Sequence, residues 1–195
     1  MSVKVSVAYH SGYGHTKKVA EAVFEGVKGF GGAQASIIAV DTMTDADWET
    51  LDASDAIIFG CPTYMGSASA KFKDFIDKTS GRWMKQTWKN KVAAGFTNSG
   101  SYSGDKLSTL IQLNVLAMQQ SMIWVSAGML PPSLSGVEGP DSKHHNRIGS
   151  YMGLMTQSNT QSGPDIAPPI GDLETAKIFG KRVAEIAAQF VKGRG

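Results

Sequence analysis

The residues with the clearest chemical potential lie in a short segment near the N-terminus, 11–16, which is rich in glycine and hydroxyl groups. It follows an alternating stretch that is typical of a strand, and apolar residues at helical spacing begin directly after it. A strand, loop and helix in this order point backbone N–H groups and the positive helix end toward an anion. The loop lacks Lys and Arg, so hydroxyls and backbone amides would hold a phosphate here. Its members are Ser11, Gly12, Tyr13, Gly14, His15 and Thr16.

The spacing of the glycines restricts which phosphate ligand fits this loop. A P-loop requires Gly-Lys-Ser or Gly-Lys-Thr, which the segment does not contain. The dinucleotide motif requires three glycines, but Lys17 stands where the third would be. The loop therefore suits a single terminal phosphate, as in a mononucleotide such as FMN. The alternative is an ordinary tight turn between a strand and a helix.

Size and composition indicate one ordinary globular domain, 1–195. The chain has 195 residues, of which 42% are hydrophobic and 18% are charged, and its net charge is +2. This near-neutral balance argues against nucleic acid as a partner. No apolar run approaches the roughly 18 residues of a membrane span, and no signal-peptide pattern is present. With a single cysteine, Cys61, and no metal-type His/Cys cluster, the sequence predicts a cytoplasmic protein without disulfides or a metal site.

Strand and helix patterns alternate and predict an α/β fold. We expect a doubly wound, five-stranded parallel sheet in the order 2-1-3-4-5 with helices on both faces. The strands are expected from Val3, over 35–40, 55–60, 92–96 and 122–125. Helices are expected from Thr16, from Thr44 or Asp45, after Ser69, over 107–116, and from a cap at Asp172. Residues 128–171, rich in Gly, Pro, Ser and Asn, are expected to form a long irregular loop.

Three polar loops follow the first, third and fourth predicted strands. Ligands of an open parallel sheet bind where the strand order switches, so these loops are expected to surround a flat, polar-edged ring. Each loop alone reads as a polar turn, and their convergence favours a binding site. Besides 11–16, the loops supply Pro62, Thr63, Tyr64, Met65 and Gly66, and Thr97, Asn98, Ser99, Gly100, Ser101, Tyr102 and Ser103.

Four motifs, in order along the chain, resemble flavodoxin-like NAD(P)H:quinone oxidoreductases of the tryptophan-repressor-binding-protein (WrbA) type. They are Ser-Gly-Tyr-Gly-His-Thr at 11–16, Phe-Gly-Cys-Pro-Thr-Tyr-Met-Gly at 59–66, Asp-Lys-Thr-Ser-Gly-Arg-Trp at 77–83 and Phe-Thr-Asn-Ser-Gly-Ser at 96–101. The resemblance implies a flavodoxin-like fold, bound FMN, two-electron reduction of a quinone-like small molecule by NAD(P)H, and a homodimer or homotetramer.

The resemblance also implies roles for single residues. The 11–16 loop binds the FMN phosphate, residues 63–65 border the isoalloxazine ring, and residues 98–103 contact its pyrimidine edge and ribityl chain. Tyr13 and Trp83 match aromatic positions that line the nicotinamide and quinone pocket. Catalysis is expected from the cofactor rather than from a protein acid or base.

The chain departs from the family pattern at three places. One is the segment after the second strand, which is shorter than in many members, where such insertions help to build tetramers. Tyr64-Met65 replaces a common Arg-Phe pair, and Met118-Gln119-Gln120 replaces a histidine pair, so no histidine is assigned to catalysis. Cys61 would lie beside the flavin, either as a redox-active thiol or, as is usual for a free cysteine, as a small buried residue.

Two other functions use the same loops. A flavodoxin, which carries single electrons, would hold FMN in the same way, but such carriers are usually strongly acidic so that they dock on basic partners. A flavin-binding or partner-binding module without turnover is the third reading. The sequence does not distinguish NADH from NADPH.

Overall fold

A computed structural model describes residues 2–136 and 141–194 of the chain. Its strands are β1 (Val3–Tyr9), β2 (Ala33–Ala39), β3 (Ala56–Tyr64), β4 (Ser67–Ala68), β5 (Val92–Ser99), β6 (Ile123–Trp124) and β7 (Leu154–Gln157). Its α-helices are α1 (His15–Lys28), α2 (Asp45–Ala53), α3 (Ala70–Lys78), α4 (Ser80–Met84), α5 (Lys106–Gln119) and α6 (Ile170–Gly193). Short 3-10 turns cover Val40–Thr42 and Pro132–Ser135.

The central sheet is parallel and has the order β2-β1-β3-β5-β6. This arrangement confirms the predicted α/β fold and the predicted order 2-1-3-4-5. Two further strands lie off this path. β4 forms an antiparallel hairpin with the end of β3, and β7 runs parallel to β5.

Two separate segments fill the fifth position of the sheet. β6 pairs only with Val92 and Ala93 at the start of β5, whereas β7 pairs with residues 96–99 at its end. The chain between them leaves the sheet and returns, and the indole N–H of Trp124 donates to the Met152 carbonyl at 2.7 Å. The interval 128–171, expected to be irregular, therefore contains a strand. Its segment 137–140 lies outside the described residues.

The strands that lead to the predicted loops are longer than expected. β3 continues to Tyr64 and β5 to Ser99, because their parallel pairing extends as far as Pro62 opposite Asn98. Several residues predicted to lie in loops are therefore the last residues of strands, and backbone hydrogen bonds fix their positions.

The predicted helix cap at Asp172 is wrong. α6 begins at Ile170, so Asp172 lies within its first turn. Its carboxylate accepts hydrogen bonds from the Arg147 guanidinium at 2.7 and 3.0 Å and from the Gln157 N–H at 2.7 Å. Both side chains of the ion pair are only 2% exposed. The pair ties the segment before β7 to α6.

Different helices cover the two faces of the sheet. α1 and α6 bury residues such as Val19, Val23 and Phe179 on one face. α3 and α5 bury Phe72 and Leu110, among others, on the opposite face. None of the helices in the described ranges combines the length and the apolar character that crossing a membrane requires.

α1 and α6 approach each other backbone to backbone. A Cβ atom on Gly26 would lie 2.0 Å from the Lys177 carbonyl oxygen, and one on Gly180 would lie 2.0 Å from the Val23 carbonyl oxygen. Only glycine fits at such a distance. The contact fixes the axis of α1, whose N-terminus follows the 11–16 loop.

Candidate functional site

A cavity of about 580 Å³ lies at the carboxyl ends of β1, β3 and β5. The strand order of the sheet switches here, which is where open parallel sheets bind ligands. The structure thus brings the three predicted loops together. Nine of the predicted cofactor residues line the cavity: Tyr13, His15, Thr16, Pro62, Thr63, Tyr64, Asn98, Ser99 and Gly100.

The 11–16 loop offers unpaired backbone donors to this cavity. The Ser11 hydroxyl oxygen accepts hydrogen bonds from the N–H groups of Gly14 and Lys17, both at 3.1 Å, and so holds the loop against α1. Within the described parts of the chain, the N–H groups of His15 and Thr16 donate to no acceptor. The first turn of α1 therefore presents free N–H groups and the positive end of the helix dipole, an arrangement that binds anions.

Gly14 makes the tight turn into α1. Its φ is +91°, in the left-handed region that favours glycine, and a Cβ there would lie 3.0 Å from the Pro164 ring. A side chain at this position would push the loop and residues 163–164 apart. Gly12 has a related role, because a Cβ there would meet the Tyr64 hydroxyl at 2.4 Å.

Residues 158–164 form a fourth wall that sequence reasoning missed. The Ser158 N–H donates to the Ser99 carbonyl at 3.1 Å, and His15 Nε2 donates to the Ser162 carbonyl at 2.8 Å. His15 therefore joins two loops. The signal that could have revealed this wall is a strand followed by a polar loop. However, β7 has only four residues, too few for the alternation of a strand to be recognised in the sequence. The wall consists of Ser158, Thr160, Gln161, Ser162, Gly163 and Pro164.

Buried hydroxyl groups support the base of the cavity. The Thr63 hydroxyl lies 2.8 Å from the hydroxyls of Thr97 and Thr109, and Thr97 donates to the Cys61 carbonyl at 2.7 Å. Thr97 is fully buried and supports the site from beneath. Burial raises the pKa of the Cys61 thiol to about 12, so the thiol stays protonated and unreactive at neutral pH.

Asn98 has a defined orientation at the cavity wall. The hydroxyls of Thr156 and Ser158 donate to its Oδ1 at 2.8 and 3.0 Å. Because the carbonyl end is occupied, the amide NH₂ group is left as the donor that Asn98 offers to a ligand.

Two tyrosines stand at the mouth of the cavity. The rings of Tyr13 and Tyr64 meet edge to face with their centroids 6.1 Å apart. Tyr13 is 79% exposed. Burial raises the pKa of the Tyr64 phenol, with a smaller contribution from Tyr13, so it remains a neutral hydroxyl. This exposed aromatic surface suits a flat ring that enters from solvent.

Several predicted residues lie outside the cavity. Met65 and Gly66 have φ values of 48° and 74° and form the tip of the β3–β4 hairpin. Ser101 is exposed on the loop after β5. Tyr102 and Ser103 line a neighbouring cavity of about 1050 Å³.

Trp83 also lies apart from Tyr13. It is on α4 and lines a groove of about 410 Å³ between α3, α4 and α5, together with Ile76 and Gln120. Within one chain the two predicted substrate residues therefore face different openings. Among residues 2–136 and 141–194, no group of three His, Cys, Asp or Glu side chains is placed to hold a metal ion.

The sequence from residue 7 to residue 131 matches a family described as NADPH-dependent FMN reductase. The chain belongs to this family. The matched range contains the 11–16 loop and the ends of β3 and β5, and the fourth wall lies beyond it. The prediction of an oxidoreductase linked to FMN is confirmed at this level.

Individual relatives extend the similarity over most of the chain. Flavodoxin FldP of Pseudomonas aeruginosa is 44% identical over 189 residues, which cover 95% of this chain and 97% of the relative. An NAD(P)H dehydrogenase (quinone) of Aromatoleum aromaticum is 31% identical over 213 residues, covering 98% and 99%. A crystal structure of a WrbA-like flavodoxin protein from Agrobacterium tumefaciens is 42% identical with a TM-score of 0.74, covering 96% and 99%. The predicted resemblance and flavodoxin-like fold are confirmed.

The residues of the site fit the FMN that this family implies. The free N–H groups at the start of α1 suit a terminal phosphate. The cavity volume of about 580 Å³ lies within the ~300–1,000 Å³ that is usual for cofactor sites. The amide of Asn98 offers a donor to the polar edge of a ring.

Proposed function

We propose that the protein transfers two electrons from NADH or NADPH to a quinone or similar small acceptor, through FMN held in the 580 Å³ cavity. The observation that carries the proposal is the exposed Tyr13–Tyr64 pair at the mouth of a cavity that fits FMN. An aromatic entrance favours stacking of a nicotinamide or a quinone on the accessible side of the cavity. The similarity to an NAD(P)H dehydrogenase (quinone) at 31% identity supports electron transfer from a nicotinamide to a quinone.

The protein's part in this reaction is to bind and orient. When bound, FMN supplies the centre that accepts a hydride and passes two electrons on. In this proposal the first turn of α1 and the Ser11 and Thr16 hydroxyls hold the phosphate. Asn98 donates to the polar edge of the ring, and the 158–164 wall covers a further side of the cavity.

Anaerobic titration of the FMN-loaded protein with NADH, and separately with NADPH, tests the proposal. We expect loss of the oxidised flavin absorbance with at least one nicotinamide, and its return when benzoquinone is added. Dithionite serves as the positive control for reduction. Reduction by dithionite together with no reduction by either nicotinamide would contradict the proposal.

A second candidate is a one-electron carrier, because the 44% identical relative is named a flavodoxin. The net charge of +2 gives this chain no acidic surface excess for docking on a basic partner. The same titration separates the two functions. A carrier would be reduced slowly or not at all by nicotinamides and would stabilise a one-electron state in a stepwise dithionite titration.

We also propose that the chain assembles as a homodimer or homotetramer. α5 leaves an apolar stripe of four side chains between 44% and 51% exposed: Leu107, Ile111, Val115 and Met118. Their spacing places them on one side of the helix, where a second copy would cover them. Such a contact would lie next to Trp83 and its groove.

A further inference from the structure

A buried ammonium group lies directly behind one wall of the cavity. Lys106 is the first residue of α5 and its side chain is fully buried. Its Nζ donates to the Ser99 hydroxyl at 2.9 Å and also to the Ser101 carbonyl. Because Ser99 itself lines the cavity, a single residue separates the ammonium from the cavity.

A second set of contacts holds the same wall from the side of α6. The Gln157 side chain donates to the Gly100 carbonyl at 2.8 Å and accepts from Arg147 at 3.1 Å. Arg147 in turn forms the buried ion pair with Asp172. The charges of this pair cancel, so Lys106 gives the buried cluster a net charge of +1.

Two further facts make the position of Lys106 informative. Its hydrogen-bond partners are neutral groups, and burial lowers its pKa to about 8, an effect that Asp172 opposes and Arg147 reinforces. A lysine is rarely fully buried without a paired charge, because desolvation is unfavourable. The 11–16 and 60–67 segments, by contrast, contain no Lys or Arg.

We propose that Lys106 is a positioning residue that fixes the 99–101 wall and, through its charge, favours the reduced state of the bound flavin. This inference rests on the proposed function, in which FMN occupies the cavity. Hydride transfer from a nicotinamide brings two electrons and one proton into the cavity, and the oxidised nicotinamide leaves. The cavity therefore becomes more negative by one charge, which a nearby buried cation stabilises.

The test measures the affinity of the protein for oxidised and for reduced FMN, and the midpoint potential, in Lys106→Met and Lys106→Gln. We expect the preference for reduced FMN to fall roughly tenfold relative to wild type, the size of a unit-charge interaction across several ångströms of protein. For a two-electron couple this is a midpoint about 30 mV lower. A merely structural role would weaken both affinities equally and leave the potential unchanged.

Lys91→Met is the matched control. Lys91 is partly buried and, like Lys106, has a lowered pKa; its Nζ donates to the carbonyls of Asp52 and Ser54. It precedes β5 and so lies at the opposite end of that strand from the cavity. We expect this variant to keep the wild-type potential. FMN-loaded Lys106 variants with the wild-type potential would overturn the inference, whereas wild-type protein that binds no FMN would overturn the proposed function instead.

Wild-type protein provides a second test in case the variants do not fold. The added negative charge raises the pKa of Lys106 above its value of about 8. A tenfold preference for reduced FMN corresponds to a rise of about one pKa unit, so reduction near pH 8.5 takes up roughly half a proton more than it does at neutral pH. The nearest charged groups, Asp172 and Arg147, remain ionised in this range. Near pH 8.5 we expect the midpoint potential to fall with pH about one and a half times as steeply as at neutral pH. A constant uptake of one proton across this range would contradict the role of Lys106.

Discussion

The shape of the 11–16 loop depends on Gly14, because this position has no room for a side chain. We predict that Gly14→Ala weakens FMN binding at least tenfold, because it adds about 1–2 kcal/mol of left-handed backbone strain and a contact with Pro164. Fluorescence titration of the apoprotein with FMN measures this loss. Gly31→Ala is the control, since a Cβ there meets no atom within 4 Å. Equal affinities in the two variants would contradict the role of Gly14.

Cys61 gives a prediction about reactivity. With its pKa raised to about 12 by burial, the thiol should not react with a disulfide reagent such as Ellman's reagent in the native protein. Full reaction should appear only after denaturation in guanidinium. Rapid reaction of native protein would show that the thiol is accessible and would reopen a redox role.

The site residues that could be predicted from the sequence are those that come at or after the ends of long strands. The segments at the carboxyl ends of β1, β3 and β5 contain Gly, Ser and Thr directly after recognisable apolar stretches, and nine of the residues predicted there line the cavity. Residues 158–164 were missed because β7 reaches its place through pairing with residues 96–99, a long-range contact. Lys106 was missed because a lysine at the start of a helix reads as a solvated charge.

Among the elements, the segment before β7 depends on one buried ion pair. We predict that Arg147→Met destabilises the protein by about 3–5 kcal/mol, because it leaves Asp172 buried without its counter-charge. Urea unfolding followed by tryptophan fluorescence measures the loss. Replacing both residues, in Arg147→Met/Asp172→Leu, should cost less than Arg147→Met alone, and a larger loss in the double variant would contradict this account.

The partly exposed ion pair between Arg82 and Asp52 provides a comparison for the unfolding experiment on Arg147. Its side chains are 23% and 30% exposed, so solvent screens the interaction. Arg82→Met should therefore cost clearly less than Arg147→Met, although it also removes the contact of Arg82 with the Trp48 ring.

Helices and strands were predictable where their hydrophobic pattern extends over many residues and their caps lie close by in the sequence. Thr44, one of the two expected candidates, caps α2, and its hydroxyl and N–H both donate to the Asp47 carboxylate at 2.8 Å. Asp172 also resembled a cap, because an acidic residue near the start of a helix is favourable in either place. Its actual partner, Arg147, comes from a segment without a readable pattern, so only tertiary structure reveals the pairing.

At the scale of the whole molecule, the apolar stripe on α5 predicts assembly. We expect light scattering after size-exclusion chromatography to give the mass of a homodimer or homotetramer. Ile111→Glu should convert the protein to a monomer, because burying an unpaired charge in the interface is unfavourable. Ile178→Glu, which places the same charge at a 39% exposed isoleucine on α6, should leave assembly unchanged. A wild-type monomer at micromolar concentration would contradict the proposed interface.

The monomeric variant also tests the separation of Tyr13 and Trp83. If a second copy completes the substrate pocket, Ile111→Glu should retain FMN binding and lose most quinone turnover. Full turnover in a confirmed monomer would show that Tyr13 and the cavity of one chain suffice.

The close contact of α1 and α6 has a consequence for biosynthesis. The 11–16 loop leaves the ribosome before α6, so α1 lacks its close contact with α6 until Gly180 has arrived opposite Val23. α6 comes later in synthesis than every other helix among the described residues. In an unfinished chain the axis of α1, and with it the 11–16 loop, would therefore not yet be fixed. We expect FMN to bind only after α6 has been synthesised.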